Sequence, residues 1–476
     1  MGLADTQMDA IRIRKAFETH QKAINRLKVE DLDRRKARLI KLKNWIHRNR
    51  TAIHQAMFKD FQKPSVEVDA IEIYHVLNEI KHALTHLDAW ASPKKIDAPF
   101  TMLGTRSAIY YEPRGVCLII SPWNYPFTLT VGPLVSALAA GNAVMLKPSE
   151  LTPHVSALTA VMVSEVFEND VVTIFEGEAN VSAYLLTLPF NHIFFTGSPA
   201  VGKLVMKAAA DHLTSVTLEL GGKSPTIVTA SANLNDAAQR IAAGKFINNG
   251  QTCIAPDYVF VDEKIAVDFT KRVIEETKNL FSEKGNFKQS QSYCRIVNER
   301  HFLRLNGILE DGLKKGAKLD LGGDMDASSR FFSPVVLTNI PRDSRLMEEE
   351  IFGPILPIIT YKEVTEAIHF INSKPVPLAL YLFANDSKMK NKILKETSSG
   401  GVCINDCAIH FLNHNLPFGG VNNSGIGKSH GYYGFLAFSN EKPVLHQKGG
   451  FTPVKVFYPP YTLRSRKIMD WFLKLF

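Results

Sequence analysis

Six short segments concentrate side chains that do chemistry more readily than they pack. They are Ser121-Pro-Trp-Asn-Tyr-Pro-Phe127, Lys147-Pro-Ser-Glu150, Phe195-Thr-Gly-Ser-Pro-Ala-Val-Gly202, Leu218-Glu-Leu-Gly-Gly-Lys-Ser-Pro225, Gly250-Gln-Thr-Cys-Ile-Ala-Pro256 and Glu349-Glu-Ile-Phe-Gly-Pro354. Cys253 offers a thiol, a nucleophile once ionised, although a free cysteine is more often a buried structural one. It follows Asn249-Gly250, which reads as a helix stop, and the C-terminal end of a helix dipole opposes thiolate formation. Its activation must then come from elsewhere. Glu219 sits in the apolar run Val216–Leu220 ahead of two glycines. Burial there raises a carboxyl toward the range of a general base; alternation could instead turn it to solvent.

Gly197 and Gly202 form a G-x-x-x-x-G loop, a departure from the usual dinucleotide fingerprint G-x-G-x-x-G. The glycines still allow a tight turn, and a helix over 199 to about 211 would aim its N-terminus at an anion. A plain strand–helix turn is the alternative. Lys147 and Glu150 follow a buried strand and precede a helix, where solvated turn residues are the ordinary expectation. Cys403, Cys407, His410 and His414 run C-x3-C-x2-H-x3-H and imitate a metal site. The arc between the pairs is too short for a zinc finger, so no metal is expected.

The elements that hold these residues are legible too. Val116–Ile120, Ala143–Leu146, Val171–Phe175, His192–Thr196 and Val216–Leu220 are candidate buried strands separated by helix-length segments, which implies a parallel sheet covered on both faces. Four of the chemical segments lie at carboxyl ends of these strands, the edge where open α/β sheets bind ligands. A second strand-and-helix region runs from about Gly221 to Cys403. Residues 1 to about 92 read as helices, with Ile73, Leu77, Ile80, Leu84 and Leu87 forming one apolar stripe that Ser92-Pro93 ends. The basic run Arg34, Arg35, Lys36, Arg38, Lys41, Lys43, Arg48 and Arg50 reads as a solvated face, since no aromatic platform for nucleic acid is interleaved with it. The chain has 476 residues, 45% hydrophobic and 22% charged, with a net charge of +9, which excludes disordered, collagen-like and disulfide-stapled classes. Its five cysteines and the lack of a secretory signal or an 18-residue apolar window point to a reducing cytoplasm.

In this order and spacing the six segments resemble the aldehyde dehydrogenase superfamily, and Gln-Thr-Cys-Ile-Ala-Pro-Asp-Tyr with Leu-Pro-Phe-Gly-Gly-Val resembles its class 3 branch, which includes fatty and coniferyl-type aldehyde enzymes. The resemblance spans residue 10 to Tyr461. It implies an α/β fold: a Rossmann-like dinucleotide-binding domain over 1–218, an α/β catalytic domain over 219–405, and a C-terminal return, oligomerisation segment and tail over 406–476. It further implies that Cys253 is the nucleophile, activated by a neighbouring carboxylate or the bound cationic nicotinamide, with Glu219 the base for hydrolytic water. Asn124 becomes an oxyanion donor beside the Cys253 amide. Gly197, Ser198 and Gly202 fall at the cofactor pyrophosphate, Lys147 and Glu150 at the adenine ribose, Glu350 and Phe352 at the nicotinamide. The carboxylate at Glu150 favours NAD over NADP, though class 3 members use both. One departure is Asn422, where the family frequently has glycine.

Medium or long aliphatic or aromatic aldehydes are the expected substrates, and a homodimer the expected assembly. A coenzyme A-acylating enzyme is the alternative; such members generally lack the glutamate matched by Glu219. The tail from Thr462 sets Arg464, Arg466 and Lys467 beside Ile468, Met469, Trp471, Phe472, Leu473, Leu475 and Phe476. It is too short to span a bilayer and suits either an interfacial helix or docking on the protein's own surface.

Overall fold

The computed structural model describes residues 3–99, 102–450 and 452–474. Helices fill the first part of the chain, at Leu3–Lys28, Leu32–Arg48, Arg50–Phe61 and Tyr74–Ala91, with a π-helical turn at Val68–Ile73. The last of these helices ends at Ala91 because Ser92 is extended before Pro93. Its buried face differs from the expected stripe. Ile73, Ile80 and Leu87 are buried, but Leu77 and Leu84 are only half so, and His75, Glu79, Ala83 and Trp90 face inward. Leu77 and Leu84 still pack against the core, and the inward face is wider than the stripe because Glu79 accepts from Gly431 N and stands beside His414, while the His75 ring stacks on Phe411. The basic run also needs correction. Arg34, Lys41, Arg48 and Arg50 are exposed, whereas Arg35 and Arg38 are buried. Arg38 pairs with Glu30 and Glu168, which compensates its burial, whereas Arg35 donates only to the Ala139 carbonyl and leaves Nε unpartnered.

The five strands expected from the sequence form the first sheet, with ends shifted by one residue at most. In spatial order it runs Gly425–Ile426, Ser215–Leu220, His192–Gly197, Val116–Ile120, Ala143–Lys147, Val172–Ile174. All pairings are parallel except that of the C-terminal visitor, in which Gly425 faces Glu219. Every residue of Val116–Ile120 and Ala143–Lys147 is buried, as helices on both faces require. Strand order reverses between Val116–Ile120 and its neighbour His192–Gly197, and that crevice is where such sheets hold ligands.

The second sheet runs Lys318–Leu321, Val335–Thr338, Ile355–Tyr361, Tyr258–Asp262, Pro225–Val228, Ala379–Phe383, Gly401–Ile404, and only the first pairing is antiparallel. The chain crosses from one sheet to the other at Gly221–Ser224, so the strand that bears Glu219 belongs to the first. A third, antiparallel sheet joins Lys94–Ile96, Thr105–Pro113 and Ser439–Gln447. The tail forms a helix, Leu463–Leu473, capped by the Thr462 hydroxyl. Leu475 and Phe476 lie outside the described residues.

Candidate functional site

Between the two sheets lies a cleft of about 230 Å³ whose walls include Asn124, Gly197, Ser198, Glu219, Cys253, Glu350 and Phe352. Seven of the residues singled out in the sequence thus meet in one place. Lys147, Glu150 and Gly202 are not among its walls. Lys147 ends its strand fully buried, its ammonium donating to the Pro148 carbonyl at 2.8 Å and to Glu150 at 3.3 Å, while Glu150 itself is exposed. Gly202 lies in the first turn of the helix Pro199–Ala210, where a Cβ would come 2.7 Å from the Leu220 side chain. Its role here is close approach of helix to strand. Ser198 caps that helix by accepting from Val201 N.

The segment before Cys253 is shaped by backbone conformation. The helix Leu234–Phe246 stops, and Asn248, Asn249 and Gly250 follow in three successive left-handed conformations. Asparagine tolerates that region and glycine adopts it freely. A Cβ at Gly250 would sit 2.3 Å from the Gly353 carbonyl, so only glycine lets this turn close on the Glu350 segment. Cys253 is half-buried, and its thiol is pushed up to about 12, by burial first and then by the Glu350 and Glu219 carboxylates; its own and Ile254's N–H groups oppose the rise. Of the groups around the thiol, only these two N–H groups favour the thiolate.

Glu219 is 6% exposed, and neither carboxylate oxygen has a hydrogen-bond partner. Burial pushes it up to about 8, with Ser429 and the Lys428 ammonium holding it back. A carboxyl in that state can exchange a proton near neutral pH. Asn124 is buried and donates Nδ2 to the Gln251 carbonyl at 3.0 Å, which leaves the second amide hydrogen for another acceptor. Its carbonyl accepts from Asn248 Nδ2 at 2.9 Å and from Lys63 Nζ at 3.3 Å, tying the Asn124 turn to the Cys253 segment.

The Glu350 segment is held at both ends. Lys223 Nζ donates to the carbonyls of Leu346 and Glu349, and Arg304 to those of Glu350 and Ile351. Asp257 accepts from Ile351 N and pairs with Lys223. Phe352 takes a left-handed φ of 48°, and its ring stands against Trp123. Lys63, Glu72, Arg304 and His301 do not stand out in the sequence, because each reads there as an ordinary helix or loop residue; Trp123 lies in one of the six segments but carries no expected role of its own. Among the described residues no three Cys, His, Asp or Glu side chains form a metal group; Cys407 packs on Gly244 and His414 on Glu79. Asn422 has φ 55°, the conformation that a glycine would take freely.

A nicotinamide dinucleotide fits these residues. Glu350 Oε1 is buried, unpartnered and in the cleft wall, and the absent side chains of Gly197 and Gly221 open the floor where a Cβ would meet Phe195 and Glu350. A cleft at the switch point of a parallel sheet, joined to a cysteine, a buried carboxyl and an amide donor, defines a dinucleotide-dependent oxidoreductase with covalent capability. The chain belongs to the aldehyde dehydrogenase family, whose sequence profile matches residues 4–444. Its relatives place it in the class 3-like branch: aldehyde dehydrogenase family 3 member A2 of Mus musculus is 41% identical over 98% of this chain and 93% of that protein. The 4,4'-diaponeurosporen-aldehyde dehydrogenase of Staphylococcus aureus is 41% identical over 97% of this chain and 99% of that protein. The substrate-bound structure of Staphylococcus aureus AldH superimposes with a TM-score of 0.92 at 40% identity, covering 97% and 99% of the two chains. Enzymes of this family use NAD or NADP.

Proposed function

We propose that the protein oxidises medium or long aliphatic, or aromatic, aldehydes to carboxylic acids, with Cys253, Glu219 and Asn124 as its catalytic residues. Bound NAD or NADP supplies the hydride acceptor. Cys253 adds to the aldehyde carbon, and the free hydrogen of the Asn124 amide with the Cys253 backbone N–H holds the developing oxyanion, an arrangement typically worth ~10²–10³ in rate. After the hydride has left, the acyl group remains on sulfur as a thioester. Glu219 then removes a proton from water, the water oxygen bonds the acyl carbon, and the thiolate leaves. Gly197 and Ser198 would receive the pyrophosphate, Lys147 and Glu150 the adenine ribose, Glu350 and Phe352 the nicotinamide end. The single observation behind this reading is Glu219: buried, unpaired and in one cleft with Cys253. That carboxylate also weighs against coenzyme A as acyl acceptor. The name of the Staphylococcus aureus relative, a 4,4'-diaponeurosporen-aldehyde dehydrogenase, supports the substrate range.

The test is transient kinetics. Glu219→Gln keeps the shape and removes the basicity, so it should release about one equivalent of NADH per site and then turn over slowly, while Cys253→Ala shows neither phase. Native steady-state turnover by Glu219→Gln refutes the assignment.

The chain is read as a homodimer, since among the described residues the last strand of the third sheet leaves its outer edge uncovered from Ser439 to His446, and folds normally cover such edges. A cytoplasmic location accords with five free cysteines. Peripheral membrane contact is assigned to the tail. Leu463, Trp471 and Leu473 are 78%, 60% and 67% exposed beside Arg464, Arg466 and Lys467, and no described helix is long and apolar enough to cross a bilayer.

A further inference from the structure

Glu219 borders two spaces. Behind the cleft, on the other side of the carboxylate, is an enclosed cavity of about 30 Å³ whose walls include His75, Ser136, Thr196, Ser429 and His430. One water needs ~15 Å³ and at least two polar neighbours. Here both Glu219 oxygens and the Nδ1 atoms of His75 and His430 are buried without partners. Past the cavity, polar groups continue outward. The His75 ring lies 4.9 Å from that of His414 and 5.1 Å from that of His430, between centroids. His414 Nε2 is 3.1 Å from Glu79 Oε2, and Glu79 Oε1 accepts from Gly431 N at 2.8 Å. His82 is 5.9 Å from His414 and 4.3 Å from His86, and both His82 and His86 are half-exposed. Positions 75, 79, 82 and 86 recur at steps of four, three and four, one face of the helix Tyr74–Ala91.

We infer that this helix face is the proton exit of the base: the proton that Glu219 takes from hydrolytic water leaves through the cavity, His75 and the His414–Glu79 pair, and reaches solvent by His82 and His86. The need is physical. With cofactor and acyl group filling the cleft, a protonated Glu219 faces no bulk water on that side and cannot reset for the next turnover. Each transfer is proton-neutral. Glu219 gives its proton to the cavity water, which passes one on to the free Nδ1 of His75 as that ring releases from its other nitrogen; His414, whose Nδ1 is held 3.0 Å from the Leu412 carbonyl, takes up and returns the proton at Nε2, opposite Glu79 Oε2, and His82 and His86 carry it outward. Burial supports this by keeping the rings uncharged, with His75 down at about 3 and His82 at about 4; a neutral imidazole can both accept and donate. Lys428 beside Glu219 is the cation at the inner end, and it favours discharge of the proton outward.

The inference rests on Glu219 as the base, and the experiment separates the two. His75→Phe, His82→Phe and their double variant are compared with Glu219→Gln for NADH burst, steady-state turnover and solvent deuterium isotope effect. Each histidine variant should keep the burst and lose about tenfold in turnover, less than the ~10² or more a direct proton-transfer partner contributes, because stray water replaces part of a missing link. Its isotope effect should rise. The double variant should be no slower than either single one, since links in series fail once. Native turnover in His82→Phe, or losses that multiply in the double variant, overturns the exit route while a slow Glu219→Gln leaves the base in place. Native turnover in Glu219→Gln overturns both. A His75→Phe protein without a burst is misfolded, and the same two outcomes are then read from His82→Phe and His86→Phe, whose half-exposed positions tolerate a ring.

Discussion

Replacing Lys63 by methionine should damage the protein more than removal of a surface lysine ever does. Lys63 and Glu72 are both without solvent exposure, and Nζ stands 2.9 Å from Oε1. The ammonium also lies over the rings of Phe61 and Tyr125, at 5.0 and 4.6 Å, and donates to the Asn124 carbonyl. Glu72 Oε2 accepts from Thr128 N at 2.9 Å at the start of the helix Thr128–Ala140. Methionine fills much of the same volume, so packing is largely kept and the cost is electrostatic. A carboxylate is left in the core with one backbone N–H, and breaking a buried pair this way costs ~3–5 kcal/mol. Glu67, half-buried and pushed up to about 7 by desolvation, crowds the same spot and adds no positive charge. Lys63→Met with Glu72→Gln removes the stranded charge, so the double variant should be less destabilised than the sum of the singles by ~2 kcal/mol. Urea unfolding followed by tryptophan fluorescence measures all three. The same variant should lower kcat with little change in KM for NAD, since Asn124 loses a tether while the cofactor walls stay intact. A cost below ~1 kcal/mol, or simple additivity in the cycle, would show that the pair is not what holds this corner together.

Three other outcomes are expected. Because Glu219 must be ionised to act and is pushed up to about 8, only about one-tenth is ionised at pH 7; hydrolytic turnover should climb tenfold per pH unit below about 8 and level off above it, and a flat profile from pH 6 to 9 contradicts the assignment. KM should be lower for NAD than for NADP, and Glu150→Gln should narrow the gap; equal or better use of NADP by the native protein refutes the ribose assignment. The native protein should sediment with anionic liposomes and a chain ending at Tyr461 should not, whereas equal sedimentation of both would remove the membrane role from the tail.

What the sequence displays of this architecture follows from the range of the interactions involved. Val116–Ile120 is legible because five consecutive apolar residues fit a strand buried on both faces, and Phe246 to Gly250 because asparagine and glycine mark a chain that has left the helix. The six chemical segments stand out because side-chain type and order survive without coordinates. Arg35, Lys63 and Glu72 do not stand out. A charged residue on a helix reads as solvated unless its partner is known, and their partners lie far along the chain: Ala139 for Arg35, Asn124 for Lys63, Thr128 for Glu72. His75 and Glu79 hide for the same reason, as their partners His414 and Gly431 come from the other end of the sequence. Glu150 shows the converse. Its position is legible, yet the structure leaves it exposed at the end of a strand, outside the walls of the cleft.

The pairing of Gly425 with Glu219, and of Ser439–Gln447 with Thr105–Pro113, has a consequence for synthesis on the ribosome. The strand that carries the base gains its outer neighbour only once residue 425 has emerged, and Thr105 waits for Gln447 to complete its ladder. Both sheets can assemble earlier, but such distant pairings are slow to close, because loop entropy must be overcome before contacts repay it. A nascent chain therefore holds its thiol and its dinucleotide crevice without a finished wall behind the carboxylate. A ribosome that stalls short of residue 425 leaves a chain whose Glu219 strand lacks its outer neighbour.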